Sequence, residues 1–366
     1  MLILSSCVSK FNNYGVTGSM VIDADNSSVT VLVAENKATS YQQNGGFVKT
    51  TYSVTYWLKQ YEMTTGKLLH KKTFFSPDES NKTSVACYGR FGNSIWLYRE
   101  GLTAFDINTL EEVTDEKKIA AKNGVSRTLF PMDDRLIRPN IDKGVINFVS
   151  DNGEEYVLTL NDLTIRGKNS DDDDTDAAEK QLNRLSEMDD YGVRCDTFSN
   201  RMFAFAKNEA AANQMSPEHG DISETAYRMQ LFSAVYSTHP LGMHTSFSYS
   251  DIKPATGETF LNPCFAADTY RGKVIHLSNP DGYIIIHQDV LGEKSKAIIT
   301  RIGLNGNIIW QKPSDVSTKI EACTLQGKYL LLSTNTAYMF SPFIGKDALC
   351  IIDTNTGNII QPSLKD

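Results

Sequence analysis

The chain holds 366 residues, 40% of them hydrophobic and 22% charged, with 36 Lys and Arg against 44 Asp and Glu for a net charge of -8. That balance builds a large core, and the acidic excess argues against a nucleic-acid partner. The sequence has no run of about 20 apolar residues, so no segment reads as a membrane-spanning helix.

The first residues, Met1-Leu-Ile-Leu-Ser-Ser-Cys7, form a short apolar stretch closing on small side chains and a cysteine. Leu4-Ser5-Ser6-Cys7 resembles the lipobox of bacterial lipoproteins. The resemblance implies cleavage before Cys7, a diacylglycerol on its thiol and an acyl chain on its freed amine. Residues 1–17 then read as a lipobox remnant and polar tether, and Cys7 is the lipidation site. The address implied is the bacterial cell envelope, periplasmic or outer membrane, with the membrane reached through the lipid anchor. Val8, not Asp, follows the cysteine, which under enterobacteria-like sorting indicates the outer membrane. The competing reading is a cytoplasmic protein whose Leu-Ser-Ser-Cys is accidental.

From residue 18 onward the chain reads as short strands bounded by Gly, Asn, Asp and Pro turns. Ser19–Asp23, Ser28–Val33, Tyr52–Leu58, Lys273–Leu277 and the continuous apolar run Tyr329–Ser333 are examples. One phrase recurs: an aliphatic or aromatic residue, often an acid, a turn with Thr and Gly, then a second strand. It occurs at Tyr61–Leu69, Phe105–Val113, Leu160–Thr164, Asp251–Glu258, Ile302–Trp310 and Ile352–Ile360. The residues at its Thr position (Thr65, Thr109, Thr164, Thr256, Asn305 and Thr356) stand 44, 55, 92, 49 and 51 residues apart. The long interval spans two periods, so the pattern has seven slots with one copy obscured near residue 210. Each phrase reads as a hairpin in which Asp or Asn caps the turn and Gly takes positive φ.

A strand-built period of roughly 40–50 residues predicts an all-β β-propeller. Seven blades fit best, six or eight remain open, and residues 18–366 form a single domain. The phrase is similar to the turn of quinoprotein-type (PQQ-repeat) propeller blades, in which an acid, a Thr-Gly turn and a distal tryptophan recur. Trp310 follows its turn in that manner, and His70 stands in the same place in the first copy. Quinone-dependent enzymes of that family carry an adjacent Cys-Cys pair against the cofactor, which this chain lacks, so no cofactor is expected.

Residues 168–230 break the strand rhythm and read as a partly helical insertion. The acid run Asp171–Asp174 leads into a segment, 177–188, with apolar residues at rough helical spacing behind an Asp176/Glu179 capping box, and 208–214 is a second helix-prone piece.

Sites of chemistry are sparse. Asp171–Asp174 lacks the order that bends a loop around Ca²⁺ and reads as a solvated loop, as does Asp23-Ala-Asp25. The histidines are scattered, His239 and His244 being the close pair, and no metal is expected. Besides Cys7, the cysteines are Cys87, Cys195, Cys264, Cys323 and Cys350, with no CxxC pair. Cys87, Cys323 and Cys350 lie in apolar runs and read as small core hydrophobes, while a Cys323–Cys350 disulfide stays open. Tyr52, Tyr56, Trp57 and Tyr61 crowd the first repeat, either as blade core or as a surface that stacks on a sugar or anchors a peptide. The reading is a non-enzymatic envelope lipoprotein, a binding or scaffolding module for a protein or glycan partner. The alternative is an envelope enzyme acting on glycans at the axial mouth.

Overall fold

A computed structural model describes residues 13–23, 25, 27–44, 47–75, 85–99, 101–168, 201–206, 228–241, 244–268, 273–279, 281–290, 295–317, 320–334 and 348–366. Cys7, Cys195, the acid run 171–174, both helix-prone pieces of the insertion and the obscured copy near 210 lie outside them. The described chain is all-β, a series of antiparallel sheets with one α-helix. By packing it divides into two units: residues 1–174, 335–350 and 360–366, and residues 175–334 and 351–359.

The first unit contains three successive sheets. The first joins Asn13–Val16, Val21–Asp23, Ser28–Asn44, Phe47–Glu62 and Leu68–Phe75. The second runs in chain order through Val85–Phe91, Ser94–Arg99, Leu102–Asp106 and Glu112–Asp115, and the third through Ile137–Asn140, Val145–Val149, Glu155–Thr159 and Thr164–Gly167. Asn13–Val16, assigned to the tether on sequence, is a strand paired with Val33–Asn36. Ser28 through Val33 are all buried, which requires neighbours on both faces of the strand. Val21, Leu32, Leu58 and Phe74 of the first sheet share a core with Ile95, Leu97 and Phe105 of the second. Trp96, Tyr98 and Leu102 pack in turn against Ile146, Phe148 and Leu158 of the third. Both faces of the second sheet are therefore covered.

Helix Glu116–Asn123 follows the second sheet. Asp115 caps it by accepting from the amide of Lys118, and Gly124 ends it at φ +64°. The strand pattern of the sequence predicts no helix here, because eight residues give too little periodicity to detect.

In the second unit, Arg201–Ala206, Arg228–Leu241, His244–Phe265, Asp281–Gln288, Lys296–Gly303 and Ile308–Ser317 follow one another in a seven-stranded sheet, with His276–Ser278 also on Asp281–Gln288. Its core holds Phe203, Phe205, Leu231, Phe260, Phe265, Tyr283, Ile285 and Ile302. Apart from Lys168, the described part of the 168–230 interval is strand Arg201–Ala206 and the start of its partner Arg228–Leu241. A final sheet orders Ile320–Gln326, Tyr329–Thr334, Ala348–Asp353 and Ile359–Ile360.

Five of the six recurring phrases are hairpin turns. Asp106 Oδ1 accepts from the amides of Asn108 and Thr109, both at 2.9 Å, and Asp353 Oδ1 does the same for Asn355 at 2.9 Å and Thr356 at 3.2 Å. The threonine hydroxyl then receives the amide two residues on, at 3.2 Å from Thr65, Thr109, Thr256 and Thr356 alike. Positive φ falls on Gly66, Gly306 and Gly357, but Leu110 and Leu163 take it in the second and third copies.

The sixth phrase corrects the expectation. Asp251–Glu258 lies inside strand His244–Phe265, where Gln230 faces Thr259 and Phe232 faces Pro254, so residues 255–258 bulge from the ladder instead of reversing the chain. The ST-turn survives inside the bulge, and Gln230 Nε2 ties it down through the Thr256 carbonyl at 3.0 Å.

Candidate functional site

A second regularity positions these turns. In each of five cases the residue that opens the turn donates its amide to the turn between the two preceding strands. The pairs are Met63 to Ser27, Ile107 to Asn93 and Thr354 to Lys328, each at 2.9 Å, Leu160 to Gly144 at 2.8 Å, and Leu304 to Asp281 at 3.3 Å. Each group of four strands is thereby cross-braced at one end.

Side chains then tie three of these turns to the neighbouring group. Gln60 Nε2 donates to the Ile107 carbonyl at 2.9 Å. Asn123 of the helix donates to the Leu163 carbonyl at 2.7 Å. Arg301 and Trp310, opposite one another across the ladder, both donate to the Thr354 carbonyl, at 2.6 and 2.8 Å. Trp310 also covers Gly357, where a Cβ would stand 2.8 Å from the indole. His70, which occupies the corresponding ladder position opposite Gln60, is exposed and makes no such docking contact. Gln60 and Arg301 were not singled out on sequence; the available signal was a polar side chain three positions before the residue that opens the turn.

Within the aromatic cluster of the first repeat, Tyr61 is committed to the chain's own C-terminal residues. Tyr61 is buried and donates its hydroxyl to the Ser363 carbonyl at 3.0 Å. Buried Lys59 donates to the Leu364 carbonyl at 2.5 Å, and Lys71 to the Asp366 carbonyl at 2.9 Å. Ile360 and Pro362 lie on Gly66 much as Trp310 lies on Gly357. Trp57 is capped by the Lys71 ammonium 4.4 Å above its ring, and its indole N–H is held by Glu35 at 2.9 Å, so it is not an open stacking platform. Tyr56 stacks on Phe75 with ring centroids 6.4 Å apart. Tyr52 is paired opposite Ala38 in the backbone ladder.

Burial lowers the Lys59 pKa to about 8, with help from the neighbouring Lys71 charge, and raises that of Tyr61. Glu116 is raised by burial, opposed by its ion pair to Arg127 at 2.5 Å. His287 is lowered by burial; its Nε2 lies 3.1 Å from Thr300 Oγ1, whose own proton goes to Gln311 Oε1 at 3.0 Å. These three sites are apart in sequence and each is internally satisfied. Asp23 is buried and paired with Arg90 at 3.2 Å. Cys87, Cys323 and Cys350 are buried thiols, which rules out the Cys323–Cys350 disulfide, and Cys264 is a half-buried thiol. Burial pushes the Cys87 and Cys350 thiols up to about 12, the behaviour of core hydrophobes. Among the described residues no three His, Cys, Asp and Glu side chains are grouped to hold a metal.

No family model and no curated protein matches the chain. Solved structures with distant likeness include the β-propeller domain of the Trilobed protease from Pyrococcus furiosus, 9% identical over 98% of this chain and 97% of that one at a TM-score of 0.32. BamB from Moraxella catarrhalis is 10% identical over 87% of this chain and 82% of that one at 0.23. The N-terminal domain of Nup159 is 10% identical over 96% and 90% at 0.23. Scores this low carry no argument, so the architecture rests on the chain's own repeat.

Proposed function

We propose that the chain is a closed seven-slot β-propeller serving as a non-enzymatic binding or scaffolding module, held at a bacterial envelope membrane through Cys7. The observation that carries the binding role is the pair of hairpins that outrun their braced sheets. Strands Ser28–Asn44 and Phe47–Glu62 pair from Ser28↔Glu62 out to Asn44↔Phe47, yet the flanking strands reach only Asn36 and Tyr56. Strands Arg228–Leu241 and His244–Phe265 do likewise beyond Val235 and Ser250. A rigid scaffold with projecting loops is the usual way a protein presents a contact surface. Ring closure is supported by Ile360 and Pro362 on Gly66, the contact by which the last strand meets the first repeat's turn. Lipid anchoring is supported by Leu4-Ser5-Ser6-Cys7, and double acylation supplies the hold that one chain cannot.

Two measurements test this reading. Intact mass and detergent partitioning of protein from its native locus, beside Cys7→Ala, are expected to show a lipid-sized increment lost in the variant; an unmodified Met1 form defeats the anchor. Photo-crosslinkers at Tyr41 and Phe247 are expected to yield one discrete adduct, absent from a crosslinker at Thr65. No adduct from either hairpin defeats the binding role.

A further inference from the structure

The chain enters the first sheet at the same end from which the first hairpin projects. Asn13–Val16 is antiparallel to Ser28–Asn44, with Val16 opposite Val33 and Asn13 opposite Asn36. Followed back from Val16, the strand runs toward the projecting ladder and meets its base at Asn36, beyond which the flanking strands no longer pair. The recurring turn at Thr65 lies at the opposite end, past Ser28↔Glu62. Main-chain register alone fixes this polarity.

Lengths then constrain where the hairpin goes. Cys7 stands six residues before Asn13, so it lies no farther from Asn13 than about 22 Å, the span of that segment fully extended. The ladder continues eight residues past Asn36 to Asn44↔Phe47, a reach of about 26 Å. It is at least as long as the tether. A Cys7 lipid seated in a bilayer therefore brings the far end of the hairpin to that bilayer when the sheet stands on its anchor, and tilting the sheet lays the ladder along the surface. Inverting it drives in the other end instead, because Ser28↔Glu62 is also eight residues from Asn36. Asp25, Ser27, Thr64, Thr65 and Lys67 are exposed at that end and would lose their water.

Charge favours the same arrangement. The projecting residues 37–55 include Lys37 and Lys49 and no acidic residue, in a chain with 44 acids and a net charge of -8. Lysines beside a bilayer are drawn to anionic headgroups, whereas the acidic remainder is repelled.

We propose that the outer part of this ladder, Ser40–Asn44 with Phe47–Thr51, rests on the headgroups of the bilayer that carries the Cys7 lipid. The inference rests on the lipid anchor of the proposed function and adds a second point of contact to it. Two contacts hold the first sheet in one orientation, its recurring turns pointing away from the membrane, which a flexible tether cannot do. The adduct expected from a crosslinker at Tyr41 is then a phospholipid.

The test uses the chain purified from its native envelope and reconstituted into vesicles of equal parts phosphatidylcholine and phosphatidylglycerol. Intact mass first reads Cys7: an unmodified chain overturns the anchor and this contact together. With the lipid present, a photo-crosslinker at Gln43 is expected to gain a phospholipid-sized increment about fivefold more often than one at Thr65. Equal yields, or more from Thr65, overturn the contact and leave the anchor standing. So does a protein adduct in place of lipid when the Gln43 form is irradiated in its native envelope. Lys37→Glu with Lys49→Glu is expected to lower the Gln43 yield about twofold or more, and an unchanged yield overturns the contact. Should the crosslinker at Gln43 alter the circular dichroism spectrum, the same comparison with Tyr41 in its place decides the matter.

Discussion

Tyr61 donates its phenolic hydrogen to the main-chain carbonyl of Ser363 at 3.0 Å, joining positions 302 residues apart in the chain. With Lys59 on Leu364 and Lys71 on Asp366 it makes the first sheet a receptor for the C-terminal residues. The terminus is thus part of the first sheet's packing, and its removal has a definite cost.

Tyr61→Phe keeps the ring and leaves the Ser363 carbonyl without its donor, for an expected loss of about 1–2 kcal/mol in unfolding free energy. Deleting residues 361–366 removes the three terminal acceptors together and is expected to cost more than Tyr61→Phe. Urea denaturation compares them, and a deletion as stable as wild type contradicts the clasp.

Lys59 supplies a pH signature. Its folded pKa, about 8, lies below the ordinary lysine value of 10.5, so between those values the unfolded chain binds more protons and this residue's contribution to stability rises with pH. Buried Tyr61, Cys87 and Cys350 are raised and act in the opposite direction in alkali. The difference between wild type and Lys59→Met isolates the lysine. That difference is expected to shift in favour of wild type from pH 7.5 to 9.5; a constant difference refutes the lowered value.

Gly357 and Gly153 both hold positive φ, at +72° and +84°, but only Gly357 has the Trp310 ring against it, and nothing lies within 4 Å of the Cβ position at Gly153. Gly153→Ala is expected to cost about 1 kcal/mol from backbone strain alone, and Gly357→Ala about 2–3 kcal/mol. Thermal unfolding ranks them. Trp310→Ala falls in the same range as Gly357→Ala, because it uncovers that glycine and removes one of two donors on the Thr354 carbonyl.

Asp106 tests the turn chemistry. Asp106→Ala strips the acceptor from two amides and from the Thr109 hydroxyl, with an expected loss of about 1 kcal/mol. Asp106→Asn retains an oxygen there and is expected to recover most of it. Equal losses for the two variants show that the carboxylate charge, not the acceptor geometry, holds the turn.

The turns were legible because their chemistry is local. An acid or amide, a threonine three positions on and a residue tolerating positive φ satisfy one another within six residues, so spacing alone exposed the repeat at Glu62, Asp106 and Asp353. The same locality misled at Thr256-Gly257, where an identical ST-turn is satisfied inside a bulge and the ladder on either side decides that the chain does not reverse. What the linear order could not reveal is which group reaches which turn. Gln60 on Ile107, Asn123 on Leu163 and Arg301 on Thr354 use three unrelated side chains for one task, because any donor of suitable reach satisfies a carbonyl. The fate of the aromatic cluster was likewise tertiary: Tyr61 and Trp57 read equally well as a binding platform until the C-terminal residues and Lys71 covered them. Composition and period therefore determined the strand-built repeat, whereas packing between distant segments decided which polar groups are spent on the fold.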